Sequence, residues 1–193
     1  TDAVTMTNWF PSTSSVDIRN GYQSHATGIT GNVETLMTYN YGTTEELWSV
    51  VDGDIIDVTT SGAVGAAAVT GLTNSRFQYT LMGTAGGNYL MAVNGADKMR
   101  VYTGATWYAD GTTTTVTGVD TADVININNF KNRIWLIEKD TLKAWYLPVS
   151  SIAGAANALD FSGIFKLGGS LVTMTNWTID NAAVIDDYAA FIS

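Results

Sequence analysis

Between Val33 and Tyr102 one strand pattern is written twice, and that repetition constrains the fold more than any single motif. Val33-Glu-Thr-Leu-Met-Thr-Tyr-Asn40 reads as a strand and Leu47-Trp-Ser-Val-Val51 as a second. Asp52-Gly53 then turns the chain into a third, Asp54-Ile-Ile-Asp-Val-Thr59. A Gly/Ala-rich run leads to Val69-Thr-Gly-Leu72, and the pattern restarts with Arg76–Met82, Tyr89–Val93 and Lys98–Tyr102. Alternation, β-branched and aromatic enrichment and Asn/Asp-Gly turn pairs are the marks of antiparallel hairpins.

A Thr-Gly-aliphatic tripeptide punctuates the chain at Thr27, Thr70 and Thr117, 43 and 47 residues apart. After each comes a polar connector, a strand (Glu34–Asn40, Phe77–Gly83, Val124–Asn129) and a two-stranded hairpin tipped by Asp52-Gly53, Asn94–Asp97 or Lys139-Asp140. Arg133–Glu138 and Thr141–Leu147, dense in aromatic and branched residues, give the third copy. About 45 residues and four antiparallel strands per copy is the content of one β-propeller blade. A lone blade leaves both faces bare, so blades must stack.

The fold expected is therefore all-β, an incomplete β-propeller of four-stranded antiparallel blades, with a β-sandwich as the competing architecture. Residues 1–15 form an extended arm, and 16–193 the partial propeller. Within it 16–32 supply closing strands, 33–72, 76–119 and 123–169 are blades, and 170–193 begin a further blade that stops short. Pro148 to Gly169 reads as a loop with one helical turn. Pro11 biases Phe10 to an extended conformation, so Trp9 and Phe10 stand on the arm as a docking anchor for a partner.

With 46% hydrophobic and 14% charged residues, the 193-residue chain is globular rather than disordered. A net charge of −9 argues against a surface that grips nucleic acid by neutralising phosphates. There is no Cys, which removes disulfides, thiolate metal sites and Cys nucleophiles, and His25 is the single histidine. No apolar run approaches the roughly 18 residues of a membrane helix.

A series of short tags carries a family likeness. Asn8-Trp-Phe-Pro11, Arg19-Asn-Gly-Tyr22, His25-Ala-Thr-Gly28 and Val33–Met37 are followed, in order, by Val93–Asp97, Phe130-Lys-Asn-Arg133, Trp145–Val149, and Phe165-Lys166 with Gly168-Gly169. In this series the chain resembles phage and prophage tail proteins with a β-propeller, similar to the tail hub or nozzle proteins of short-tailed bacteriophages. The resemblance covers nearly the whole chain. It implies a structural role in the virion: a ring of copies, in contact with adjoining tail proteins, around a channel through which DNA passes without specific binding. It brings no catalytic residues.

The residues add no chemistry of their own. Asp54 and Asp57 differ in strand parity and point to opposite faces, while Glu45-Glu46 and Asp186-Asp187 sit at strand entrances. Asp52-Gly-Asp54 and Asp120-Thr-Ala-Asp123 lack the twelve-residue calcium loop and its terminal Glu. Ala109–Thr113 reads as a hairpin turn. Ser24, His25 and Asp17 have no nucleophile elbow behind them. Gly83–Gly87 and Gly168-Gly169 precede no helix, so they are turns rather than phosphate cradles. Trp48, Trp107, Trp135, Trp145 and Trp177 are expected mainly in the core, with Trp48 and Trp135 at comparable places in successive repeats. No catalytic, cofactor or metal residue is assigned and the protein is expected not to be an enzyme. The acidic balance suggests a channel lined with carboxylates that repels DNA. The alternative function is a carbohydrate-binding propeller for host attachment, which needs equivalent exposed aromatics in successive blades.

Overall fold

The computed structural model describes residues 7–19, 21–180 and 185–193; residues 1–6 of the expected arm lie outside them. In chain order, β1 (Trp9–Pro11) pairs with β2 (Val16–Ile18) as a short antiparallel hairpin. β3 (Ala26–Thr27) precedes the first sheet, formed by β4 (Val33–Tyr41), β5 (Thr44–Val51) and β6 (Asp54–Asp57), and β7 (Gly62–Ala63) follows it. The second sheet holds β8 (Gln78–Thr84), β9 (Gly87–Val93), β10 (Arg100–Tyr102) and β11 (Trp107–Ala109). β12 (Val116–Thr117) leads through a 3-10 turn at Thr121–Asp123 into the third. That sheet contains β13 (Val124–Phe130), β14 (Arg133–Glu138), β15 (Lys143–Tyr146) and, after β16 (Gly154–Ala155), β17 (Asn157–Asp160). β18 (Thr173–Asp180) and β19 (Ile185–Ile192) make the fourth. Among the described residues there is no α-helix. The chain is all-β, and its four main sheets are small, antiparallel and consecutive.

Tight turns fix the registers. At Asp52-Gly53 both residues have positive φ (48° and 84°), the geometry of a type I′ turn. Lys131-Asn132 does the same without glycine (50° and 58°), joining Phe130 to its ladder partner Arg133.

Three differences from the sequence reading have physical causes. The stretch from Pro148 to Gly169 is not simply a loop, because Asn157–Asp160 pairs along β15 from Lys143 to Tyr146 as the fourth strand. All four of its side chains are exposed, so it carries no apolar alternation to betray it. The single turn lies at Phe161, whose carbonyl accepts from the N–H groups of Ile164 and Phe165. In the first sheet the fourth strand is reduced to one bridge between Ile55 and Val69. The Thr-Gly tags, finally, are not equivalent. Thr27 and Thr117 belong to parallel pairs, β3 with β7 on either side of the first sheet and β12 with β16 on either side of the first three strands of the third. Thr70 makes no such pair.

The arm boundary also shifts, since the β1–β2 hairpin spans residues placed on both sides of position 15. Of the closing strands expected over 16–32, only Val16–Ile18 and Ala26–Thr27 are strands among the described residues.

Three apolar clusters hold the sheets together, one in each gap. Met37, Trp48, Val50 and Ile55 of the first sheet meet Leu90, Ala92, Tyr102 and Trp107 of the second. On its other face the second sheet presents Met82, Met91, Val93 and Val101 to Ile127, Ile134 and Leu136 of the third. Leu90, Met91, Ala92 and Val93 thus serve alternate gaps, as a strand's period of two requires. Ile137 and Ala144 then meet Met174 and Phe191 of the fourth.

Candidate functional site

Among the described residues the most organised feature is the seam between sheets. β4, β8, β13 and β18 each stand at an edge of their sheet. Consecutive sheets approach one another along their first and second strands. Side chains bridge these edges like rungs. The Thr35 hydroxyl donates to the Ser75 carbonyl (2.7 Å) and accepts the Phe77 N–H (2.9 Å). Asn126 Oδ1 accepts the Met174 N–H (3.2 Å), while Asn128 Nδ2 donates to the Met174 carbonyl (3.2 Å). In the opposite sense, Asn129 Nδ2 reaches the Leu81 carbonyl (3.1 Å) and Asn176 Nδ2 the Asn129 carbonyl (2.9 Å). The bridged residues lie 40 to 48 apart in sequence and advance together, so the edges run in the same direction.

β4 and β13 are superposable by an irregularity in their ladders. Val33 pairs with Val51 and Thr35 with Val50; Val124 pairs with Glu138 and Asn126 with Ile137. Placing one bulge on the other makes Thr35 the counterpart of Asn126, and both are rungs to the next sheet. It also makes Leu36 the counterpart of Ile127, Leu47 of Ile134, Ser49 of Leu136 and Trp48 of Trp135. Replacing Thr35 by Val keeps the shape but strips the Phe77 N–H of its acceptor. A loss of about 1–2 kcal/mol is expected, read by denaturant unfolding, with faster amide exchange confined to Phe77 and its neighbours.

The tryptophans divide as their positions dictate. Trp48 and Trp107 are buried and meet edge-on at 5.4 Å within a group that includes Tyr39 and Tyr102. Burial, followed by the neighbouring Glu46, raises the Tyr102 phenol well above its ordinary range. Trp135 packs against Tyr146 and Phe191. Trp145 donates to Glu138 Oε2 at 2.8 Å. Trp177 is 63% exposed, on the outer face of the fourth sheet. The equivalent pair Trp48 and Trp135 is thus packed, and the exposed tryptophans do not occupy equivalent places.

Trp9 and Phe10 are open to solvent at 45% and 61%. Both lie on β1, in a hairpin whose six strand residues are all exposed. His25 Nε2 lies 2.7 Å from the Val58 carbonyl, a structural contact between the segment before the first sheet and the one after it.

The carboxylates do not line the sheet edges that meet. β4, β8 and β13 together carry one, Glu34, and are otherwise furnished with Thr, Asn and apolar residues. Asp52, Asp97, Asp120, Asp123 and Asp140 instead occupy turns and connectors. The reason is local: the strand positions are taken by rungs that need both donors and acceptors, which a carboxylate cannot supply. Among the described residues there is no group of three or more His, Asp or Glu side chains able to hold a metal ion. No helix among them is long and apolar enough to cross a membrane.

Two acidic residues were missed as structural hubs. Asp97 accepts from the Thr73 N–H (2.8 Å), the Thr73 hydroxyl (2.9 Å) and Asn94 Nδ2 (2.7 Å), tying the connector between the first two sheets to the β9–β10 loop. Partial burial pushes its carboxyl up, but the hydrogen bonds outweigh this and hold it below the ordinary 3.8. A depressed folded-state value means the contribution to stability is complete above the unfolded value and is lost as pH falls through the folded one. Acid titration of stability is expected to show a loss beginning near pH 4, and Asp97→Asn is expected to flatten that limb. Asp110, read as part of a plain turn, is buried. It accepts the Val116 N–H (2.8 Å) and the Thr121 hydroxyl (2.9 Å).

Comparison with family models, curated proteins and solved structures finds no match to the chain.

Proposed function

We propose that this protein is a structural component of a bacteriophage tail, a hub- or nozzle-type ring subunit whose sheets are blades of an incomplete β-propeller. The observation that carries the architecture is the seam. First strands are linked edge to edge by rungs in one direction, and sheets approach along their first two strands. Tyr102 and Trp107, on the strands farther from the seam, fill the gap between the first and second sheets with large rings. Sheets splayed from a common axis have that geometry, narrow inside and wide outside.

The tail assignment rests on the ordered series of residue tags from Asn8 to Gly169. On this reading DNA slides past Thr and Asn side chains, and like-charge repulsion plays little part. The partners are further copies of the chain and adjoining tail proteins, the protein has no catalytic role, and its place is the virion.

The test is direct. Purified tailed particles carrying this chain are expected to show it in the tail, by mass spectrometry of separated tails and by cryo-EM density around the channel. Particles complete without it would overturn the assignment. The carbohydrate-binding alternative needs repeated exposed aromatics, and the equivalent Trp48 and Trp135 are packed between sheets, so the structural reading is preferred.

A further inference from the structure

The sequence holds two Asn-Gly pairs, Asn20-Gly21 and Asn94-Gly95. Such a pair is chemically labile, because glycine has no Cβ to keep its amide nitrogen from the preceding side-chain carbonyl. The nitrogen attacks Cγ, the Cγ–Nδ2 bond breaks, and the side-chain nitrogen leaves as ammonia with the proton the glycine nitrogen gives up. Water then opens the succinimide to aspartate, or to isoaspartate, in which the main chain runs on through Cγ. Water is the sole co-reactant.

Asn94-Gly95 opens the loop between β9 and β10, where the second sheet is tied to the connector before it and to the third sheet after it. Asn94 is buried and its amide is fully used. Oδ1 accepts the N–H groups of Ala96 (3.1 Å) and Asp97 (2.8 Å), while Nδ2 donates to the Asn74 carbonyl and to Asp97 Oδ2 (both 2.7 Å). Gly95 faces the third sheet. A Cβ there would stand 2.8 Å from Ile125 Cγ2, and the Gly95 carbonyl accepts from Lys139 Nζ at 3.4 Å. With φ at 71° as well, the position admits little besides glycine. The fold therefore keeps a labile pair at a junction.

We propose that Asn94 is a site of spontaneous deamidation which the fold guards, and that its conversion unlocks the tie between the first two sheets for good. Attack makes Cγ tetrahedral, which a planar amide held by four hydrogen bonds resists, so the reaction waits on opening of the loop. Afterwards an oxygen stands where Nδ2 was, facing two acceptors. The Asn74 carbonyl and Asp97 each lose a donor, and two carboxylates adjoin. Isoaspartate also lengthens the main chain by one carbon and presses Gly95 toward Ile125. The closed loop cannot form again as it was, and each opening carries a chance of becoming permanent. The reaction is the same wherever the protein acts, so its test leaves the tail assignment untouched.

Protein aged in mildly alkaline buffer, with and without guanidinium chloride, is digested and mapped for aspartate and isoaspartate at position 94. In guanidinium chloride Asn94 should convert as fast as Asn20, since neither is then guarded. Folded, it should convert at least about tenfold more slowly than in guanidinium chloride, given four hydrogen bonds to break. Asp97→Ala leaves the Asn-Gly pair intact and should speed conversion several-fold in the folded protein without changing the rate in guanidinium chloride. Thr73→Val, which removes one exposed hydroxyl from Asp97, should do the same to a smaller extent. Asn94→Asp, which carries the product from the start, should show faster amide exchange at Thr73 and Asn74, whose N–H groups bond Asp97.

Folded protein that converts at Asn94 as fast as in guanidinium chloride, or faster, overturns the guard. So does a folded rate unmoved by both Asp97→Ala and Thr73→Val. Protection of Thr73 and Asn74 unchanged in Asn94→Asp overturns the unlocking.

Discussion

Replacing Leu136 by Ala is expected to destabilise the protein by about 3–4 kcal/mol, near the upper part of the range for buried leucines. Leu136 lies at the middle of β14, fully buried between the second and third sheets, with Ile127 opposite it on β13 and Trp145 opposite on β15. Ladders on both sides hold its strand, so the backbone has little freedom to close over the space left behind, and the cavity penalty adds to the lost transfer energy. For a chain of this size a fall in Tm of roughly 10 °C follows, measurable by calorimetry or urea unfolding. Leu36→Ala is the internal control. It removes the same atoms at the exposed counterpart of Ile127 and should cost the single chain no more than about 1 kcal/mol. Equal losses at both positions would mean that the gap between the second and third sheets is not packed as described.

Asp110→Ala should be nearly as damaging, by about 3 kcal/mol, although it removes little apolar surface. The carboxylate takes the Val116 N–H at the entrance to β12 and the Thr121 hydroxyl, whose oxygen in turn accepts the Met99 N–H at 3.2 Å. Alanine therefore leaves a buried donor without a partner and loosens the turn that delivers the chain to the third sheet. Bonds to a charged acceptor are worth about 1.5–3 kcal/mol each. Asp110→Asn retains one acceptor oxygen and should lose roughly half as much. An alanine variant within about 0.5 kcal/mol of wild type by denaturant unfolding would show that the network carries no weight.

Much of this architecture was legible because its determinants are local. Asp52-Gly53 gave its turn type from two residues, and the alternation in Tyr89–Val93 followed from each side chain serving one gap or the other. The likeness of Trp48 and Trp135 is also legible, since each pairs two ladder positions from the bulge, with Met37 and Asn128. Less legible was whatever depends on partners distant in sequence. Asn157–Asp160 is a strand because β15 offers it an edge, and its own side chains, all exposed, say nothing of that. Asn126, Asn128 and Asn129 look like poor strand formers. Their value is in the bonds they make about 48 residues away. Asp110 looked like turn chemistry because the burial that gives it importance comes from Met99, Val116 and Thr121 together. Net charge, likewise, fixes how many acids there are and not where they stand; Asp52, Asp97, Asp120, Asp123 and Asp140 lie in turns and connectors.

Whether the sheets fan about an axis or lie flat on one another is open to a distance measurement. The absence of cysteine allows clean nitroxide labelling at Tyr41 and Lys131, beside the hairpin turns that end β4 and β13, and at Asp57 and Asn157 on β6 and β17, all exposed. Pulsed electron resonance should find the Asp57–Asn157 separation longer than Tyr41–Lys131 by on the order of 10 Å, about one sheet spacing. Equal separations would mean a flat stack, and the propeller reading would fall with them.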